Sequence, residues 1–154
     1  AQKGVHMYTE DFYPEGTENL LISSVDAALA GQNTLLAAES LGYGGVIIGL
    51  VRYAASQIAE LFKLPDYTYP VFGIALGTPN QNHAVKPRLP YEAAVFEEEY
   101  REQDRSIIQA YDRVQTEYAG ERAKETWSQR LAAQFGQEPN QAIDQLFKEK
   151  KLEK

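Results

Sequence analysis

Residues 18–41 set the first constraint on how this chain can fold. The stretch carries Leu20, Leu21, Ile22, Val25, Leu29, Leu35 and Leu36 with alanines between them. Only Asn19, Ser23, Ser24, Asp26, Gln32, Asn33, Thr34 and Glu39 interrupt it with polar groups. The pattern predicts one helix, roughly 35 Å long at the usual rise per residue. Thr17 is placed to N-cap it, and Glu18 suits the positive end of its dipole. Apolar or small side chains cover nearly every face, so the helix has to be covered on several sides. A chain of 154 residues has little interior with which to do that. Two readings follow: a partner subunit covers part of the helix, which is our expectation, or the helix is the core of a single domain.

The helix pattern ends in Leu41-Gly-Tyr-Gly-Gly-Val-Ile-Ile-Gly-Leu-Val-Arg52. Gly44, Gly45 and Gly49 mark places where the backbone needs a positive φ or where something approaches it closely. One reading is a helix stop followed by a tightly packed strand end. The other is a flat ligand lying against bare backbone. Residues 46–48 are β-branched and short, as expected of a buried strand. A helix stripe follows at Val51, Ala54, Ala55, Ile58, Leu61 and Phe62, and Pro65 ends it. Residues 69–77 read as the best strand in the chain. They are nearly all apolar and are therefore expected inside a sheet covered on both faces.

Residues 1–16 read as the end of a strand at 5–8 followed by a loop with Pro14 and Gly16 as breakers. Residues 78–83 form a polar loop. Lys86-Pro87-Arg88-Leu89-Pro90 comes next. Its prolines bias the preceding residues to extended geometry, which lowers the entropy cost of holding the two cations in place. The pair is either surface charge on a Pro-rich connection or an anion site, to which Arg brings a planar fork and Lys a point charge. Residues 91–100 read as an extended arm into the acidic patch Glu97-Glu98-Glu99, taken as solvated surface. Three helices are expected after it. Their stripes are Ile107, Ala110, Tyr111, Val114 and Tyr118; then Trp127, Leu131 and Phe135; then Ile143, Leu146 and Phe147.

Charge and composition narrow the function. The chain is 44% hydrophobic and 24% charged, as expected of a packed single domain. Cysteine is absent, which removes disulfides, thiolate metal sites and thiol catalysis. His6 and His83 are the two imidazoles, too few for a multi-histidine metal centre. The net charge of −7 disfavours a nucleic-acid surface. No run of 18 or more uncharged apolar residues suggests a membrane span. No signal-peptide pattern opens the chain, so a cytoplasmic location is the default. Residues 1–96 hold nine acidic and five basic groups, and two of those five are Lys86 and Arg88. So rare a pair of cations two residues apart asks for a reason.

Those residues together carry a resemblance. Ala38-Glu39-Ser40-Leu41-Gly42-Tyr43-Gly44-Gly45-Val46 through Gly49 and Arg52 resembles the flavin-contacting segment of the nitroreductase family. Leu64-Pro65-Asp66-Tyr67, Pro70-Val71-Phe72-Gly73 with Gly77, Lys86-Pro87-Arg88-Leu89-Pro90 and Glu125-Thr126-Trp127-Ser128 resemble its oxygen-insensitive branch of nitroreductases and flavin reductases. The likeness runs from about residue 17 to the end, with the four motifs in order. It implies an α+β nitroreductase-like fold, a central sheet flanked by helices, with residues 1–154 forming a single but partial domain. It also implies a homodimer through helix 18–41 with FMN between subunits.

By the same resemblance, Ile47, Ile48, Gly49 and Leu50 would line the flavin ring. Lys86 and Arg88 would match a Lys-x-Arg that meets the ring and the phosphate region, with Arg52 close by. A cation near the ring would stabilise the reduced, anionic flavin. Arg122 and Lys124 would be the nearest candidates for binding NAD(P)H. The implied chemistry is ping-pong: NAD(P)H delivers hydride to FMN, and a nitroaromatic, quinone or free flavin then takes the electrons. The cofactor carries that chemistry, so no protein acid, base or nucleophile is expected. Members of the family also carry an N-terminal segment with a phosphate-binding motif that this sequence lacks, so the fold is expected to be incomplete at the N-terminus. Two other functions compete. One is a flavin-free dimerisation or interaction remnant, or an inactive fragment of such an enzyme. The other is a general anion- or nucleotide-binding helical domain using Lys86 and Arg88, which the acidic balance elsewhere disfavours.

Overall fold

The computed structural model describes residues 1–82 and 84–153. His83, in the polar loop 78–83, and Lys154, at the end of the Lys-rich tail, lie outside the described residues. The elements are α1 (Gln2–Val5), α2 (Thr17–Ser40), β1 (Gly44–Ile48), α3 (Ala55–Leu61), β2 (Gly73–Gly77), α4 (Tyr91–Ala94), α5 (Arg105–Ala119), α6 (Trp127–Phe135) and α7 (Ala142–Glu149). Short 3-10 turns occupy Gly49–Ala54 and Gly120–Arg122. Contacts divide the chain into two compact units. The first is Ala1–Asn80 together with Asn140–Lys154, and the second is Gln81–Pro139.

In the first unit, β1 and β2 pair antiparallel, with Gly45 opposite Leu76 and Ile47 opposite Ile74. Directly opposed residues share a face of the sheet. Gly45, Ile47, Ile74 and Leu76 therefore form one face, and Val46, Ile48 and Ala75 the other. α2 lies on the first of these. A side chain at Gly31 would meet the ring of Phe72, with Ile74 next to it, and one at Gly45 would meet Leu35 of α2 and Leu76. The helix and the sheet approach this closely because both positions lack a Cβ.

A second small core ties the C-terminus to this unit. Leu146 of α7 is completely buried against Ala55 and Ala59 of α3, with Leu64, Tyr69 and Ile143 packed around them. The Tyr69 hydroxyl, which also meets the Ser24 hydroxyl at 2.7 Å, donates to the Leu20 carbonyl at 2.9 Å and fixes α2 beside this cluster. Helices α2, α3 and α7 end alike: residues Gly42, Lys63 and Lys151 take positive φ, and the next amide bonds back across the last turn to Ala38, Ala59 and Phe147. Lys151 also pairs with Asp66 at 2.5 Å.

Several expectations are corrected. Residues 5–8 are not a strand end, since Val5 closes a helical turn by donating to Ala1 and His6 donates to Gln2. Thr17 is the first residue of α2 rather than its cap; Gly16 occupies the cap at φ 103°. The strand expected at 69–77 covers only Gly73–Gly77. Pro70 has no amide to give a ladder, and Tyr69 and Phe72 are engaged with α2. The helix expected from Val51 begins as a 3-10 turn and becomes α-helical at Ala55. The arm at 91–100 opens with the helical turn α4, in which Val95 donates to the Tyr91 carbonyl.

The largest difference is burial. Both strands were expected to be interior, yet Val46 is 57% exposed and Leu76 50%. The described residues supply one layer, α2, against a two-stranded sheet. α2 is itself exposed at Leu21, Ile22, Val25, Leu29 and Leu36. By length and composition alone it would also suffice to cross a membrane, with a mean hydropathy of 1.2 over 18 residues. Gly31 and Leu35 tie one side of it to the sheet.

The Gly31–Phe72 contact gives the first prediction. Gly31→Val should lower the stability of the chain by about 1–3 kcal/mol, because a branched side chain overpacks the Phe72 ring. Urea unfolding measures it, and an unchanged midpoint would mean that the helix does not seat on the sheet at this point.

Candidate functional site

The sequence-predicted site residues fall into both units. In the first, Ile47 and Ile48 end β1, while Gly49 and Leu50 open the 3-10 turn. Successive strand residues point to opposite faces. Ile47 therefore lies on the face that carries α2 and Ile48 on the other. Leu50 is 69% exposed. The Arg52 guanidinium donates to the Val71 carbonyl at 2.7 Å, and a Cβ at Gly49 would lie 3.2 Å from its Nη2. Gly49 is thus closely approached by Arg52, a residue of the turn itself. Gly44 is approached in the same way by Pro79, at 3.1 Å from the Cβ position. None of the three glycines singled out in the sequence has positive φ; that conformation falls to Gly42. Close approach is the reason for all three.

The second unit is built on α5. Its N-cap Asp104 accepts from the Ser106 amide at 2.8 Å. Tyr111, Gln115 and Tyr118 stand on one face at helical spacing, and their polar tips hold the extended stretch that contains Lys86. Gln115, a buried amide, donates to the Pro87 carbonyl at 2.7 Å and to the Tyr111 hydroxyl at 2.8 Å. Tyr111 donates to the same Pro87 carbonyl at 3.2 Å, and Tyr118 to the Ala84 carbonyl at 2.9 Å. Lys86 sits between the two clamped carbonyls.

This frame sends the two cations to different places. Lys86 lines a cleft of about 560 Å³ together with Arg122, Lys124 and Arg130; Gln115, Tyr118, Ala119 and Glu125 complete much of the wall. Arg88 lines a separate hollow with Pro90, Ser106, Ile107, Ala110, Tyr111 and Val114. The structure therefore brings Lys86 together with Arg122 and Lys124, and separates it from Arg88. Arg130, from the first turn of α6, is a cation that the sequence reading missed. Among the described residues the one ion pair is Lys151–Asp66, so four cations converge on the cleft without a paired carboxylate. Such a cleft suits a phosphorylated anion.

α6 is held to α5 by its N-terminus. Thr126 and Gln129 form a reciprocal capping box. Asp112 of α5 accepts from the Ser128 amide at 2.9 Å, and its second oxygen accepts from the Ser128 hydroxyl. The Trp127 ring meets Tyr111 edge-on at 5.2 Å. Burial raises the Asp112 pKa, but the hydrogen bonds from Ser128, Thr126 and the Trp127 amide outweigh it and leave the carboxyl below its ordinary value.

A model of the nitroreductase family matches residues 6–78, and a model of that family's C-terminal domain matches residues 86–154. The chain belongs to the nitroreductase family. It is 40% identical over 148 residues to an NADPH-flavin oxidoreductase of Vibrio harveyi, covering 94% of this chain and 62% of the relative. It is 44% identical over 118 residues to an oxygen-insensitive NADPH nitroreductase of Salmonella typhimurium, covering 74% of this chain and 49% of that one. Nitroreductase A of Vibrio parahaemolyticus superposes with a TM-score of 0.89 at 40% identity, over 97% of this chain and 62% of that one. The NADPH:FMN oxidoreductase of Vibrio harveyi complexed with NAD+ gives 0.86 at 39% identity, over 97% and 62%. The fold is that of the nitroreductases, and the chain spans about half to three fifths of the length of these curated relatives.

The Asp112 contact generates a pH prediction. A carboxyl whose folded pKa is lowered adds stability that is fully present above its unfolded value and is lost as pH falls through the folded one. Wild-type stability should therefore fall as pH drops below the ordinary carboxylate value of 3.8. In Asp112→Asn that part of the acid-side slope should be smaller. Parallel slopes in thermal melts between pH 5 and pH 2, a range of about three units around that value, would show that Asp112 is not held in this way.

Proposed function

We propose that this chain forms part of an FMN-dependent NAD(P)H oxidoreductase that reduces nitroaromatics, quinones or free flavin by a ping-pong hydride mechanism. The observation that carries the proposal is the cleft in which Lys86, Arg122, Lys124 and Arg130 converge. The activities of the relatives, NADPH-flavin oxidoreductase and oxygen-insensitive NADPH nitroreductase, agree with it. We assign the cleft to the phosphate-bearing end of the nicotinamide dinucleotide. Arg122 and Lys124 are its principal ligands, and NADPH, with its extra 2′-phosphate, is the preferred reductant.

FMN fits the residues of the corner at Ile47–Leu50. Ile48 and Leu50 offer exposed apolar surface to a planar ring, and Gly49 adds no side chain of its own. Bound flavin would supply the redox chemistry, accepting hydride from the dinucleotide and releasing electrons to the second substrate. The residues of this chain bind and orient. Ile48, Gly49 and Leu50 exclude water from the ring, with Ile47 behind them on the face that carries α2. The exposed apolar side of α2 is assigned to a second copy, giving a homodimer through residues 18–41. The proposed setting is the cytoplasm, with neither nucleic acid nor membrane as partner.

The exposure of Leu21, Ile22, Val25, Leu29 and Leu36 also favours a second reading, in which the chain dimerises without flavin. One pair of measurements separates the two. The first reading expects the chain to quench FMN fluorescence at a one-to-one ratio and to oxidise NADPH with a nitroaromatic acceptor. It also expects Arg122→Ala with Lys124→Ala to raise the KM for NADPH about tenfold, with little change for NADH. A dimer by sedimentation that leaves FMN fluorescence unchanged would favour the second reading and sink the first.

A further inference from the structure

We infer that Asp112 is the positioning residue of the four-cation cleft: it fixes the start of α6 to α5 and so sets where Arg122, Lys124 and Arg130 stand. The inference rests on the assignment of that cleft to the phosphorylated dinucleotide.

The geometry runs as a chain of contacts. Lys86 is held by α5 itself, through Gln115, Tyr111 and Tyr118. The other three cations have no such clamp. Arg122 ends the 3-10 turn, Lys124 lies in the short connection after it, and Arg130 is on α6. Gly120 takes a positive φ where α5 ends, so the connection leaves that helix at a sharp bend. From there to α6, Arg122 has a long contact with the Ala119 carbonyl, at 3.4 Å. The connection is fastened at its far end by Asp112, which takes the amide and hydroxyl of Ser128. Thr126 lines the hollow on the Asp112 side, while Arg122, Lys124 and Glu125 line the cleft. Seven residues between two fixed ends present two cations, and the second fixed end carries a third.

Asp112 is an anion on the same helix as the wall of a cationic cleft. Charge alone therefore predicts that removing it strengthens phosphate binding. A positioning role predicts the reverse whenever the hydrogen bonds are lost. The two effects differ in sign, and a pair of variants separates them. Asn keeps an oxygen for the Ser128 amide and an amide group opposite the Ser128 hydroxyl, which can rotate to accept. Ala keeps neither.

The experiment is calorimetric titration with adenosine 2′,5′-bisphosphate and with 5′-AMP, which needs neither bound flavin nor turnover. Wild type should prefer the bisphosphate by about tenfold or more. Asp112→Ala should reduce that preference to about threefold or less, while Asp112→Asn should retain or increase it. Glu117→Gln removes a neighbouring carboxylate from the same helix and touches no Ser128 group; it should behave like the Asn variant. Should Asp112→Ala not fold, Ser128→Ala removes only the hydroxyl contact and should reduce the preference by about twofold. A wild-type protein with no preference would overturn the assignment of the cleft and the inference with it. A wild-type preference that Asp112→Ala or Ser128→Ala leaves intact would overturn the inference alone.

Discussion

A single backbone carbonyl, that of Pro87, organises the unit that carries the cationic cleft. It accepts from the buried Gln115 amide and from the Tyr111 hydroxyl, and Gln115 in turn donates to Tyr111. A buried amide without partners would cost on the order of 1–3 kcal/mol, so this three-membered network fixes the register of the extended stretch against α5. The flanking Pro87 and Pro90 reduce the conformations that the stretch must give up. Lys86 and Arg88 lie on either side of the clamped carbonyl, and in an extended chain residues two apart share a side. Here each cation nevertheless lines its own hollow.

The first unit depends on a different device, the absence of side chains. Gly31, Gly44, Gly45 and Gly49 are each approached by a group that a Cβ would displace: Phe72, Pro79, Leu35 with Leu76, and Arg52. α2 can lie close on the two-stranded sheet only through the first and third of these. The result is a thin layer. One side of α2 is seated, and the other presents a row of leucine, isoleucine and valine. Burying even half of such a row is worth several kcal/mol at about 25 cal/mol per Å², which makes a covering surface energetically strong.

Much of this was legible in the sequence. α5, α6 and α7 follow their apolar stripes to within a few residues, while the Thr126–Gln129 box that starts α6 emerged only in the structure. β1 and β2 were found where β-branched and apolar residues cluster, β2 as the second half of the expected strand. What was not legible has physical causes. Tyr111 and Tyr118 were counted as members of an apolar stripe, although it is their hydroxyls that position Lys86; periodicity registers the ring and ignores its tip. Arg130 and Asp112 sit among other charged residues and differ from them only in what the fold places nearby. The strand expected through Tyr69 and Phe72 failed because hydropathy cannot tell an apolar residue in a ladder from one packed on a helix.

The same limit explains the error over burial. A run such as Val46-Ile47-Ile48 states that its side chains prefer cover, not that this chain supplies it. Among the described residues the cover is α2 alone, and it reaches one face. α2 has the matching problem, since its apolar surface extends round more of its circumference than one small sheet can occupy. Two apolar surfaces on one compact unit call for cover that this unit does not supply, because the glycine contacts and the Tyr69 hydroxyl already fix α2 in place. The long apolar helix that most constrains the sequence therefore constrains the fold through what it leaves exposed as much as through what it buries.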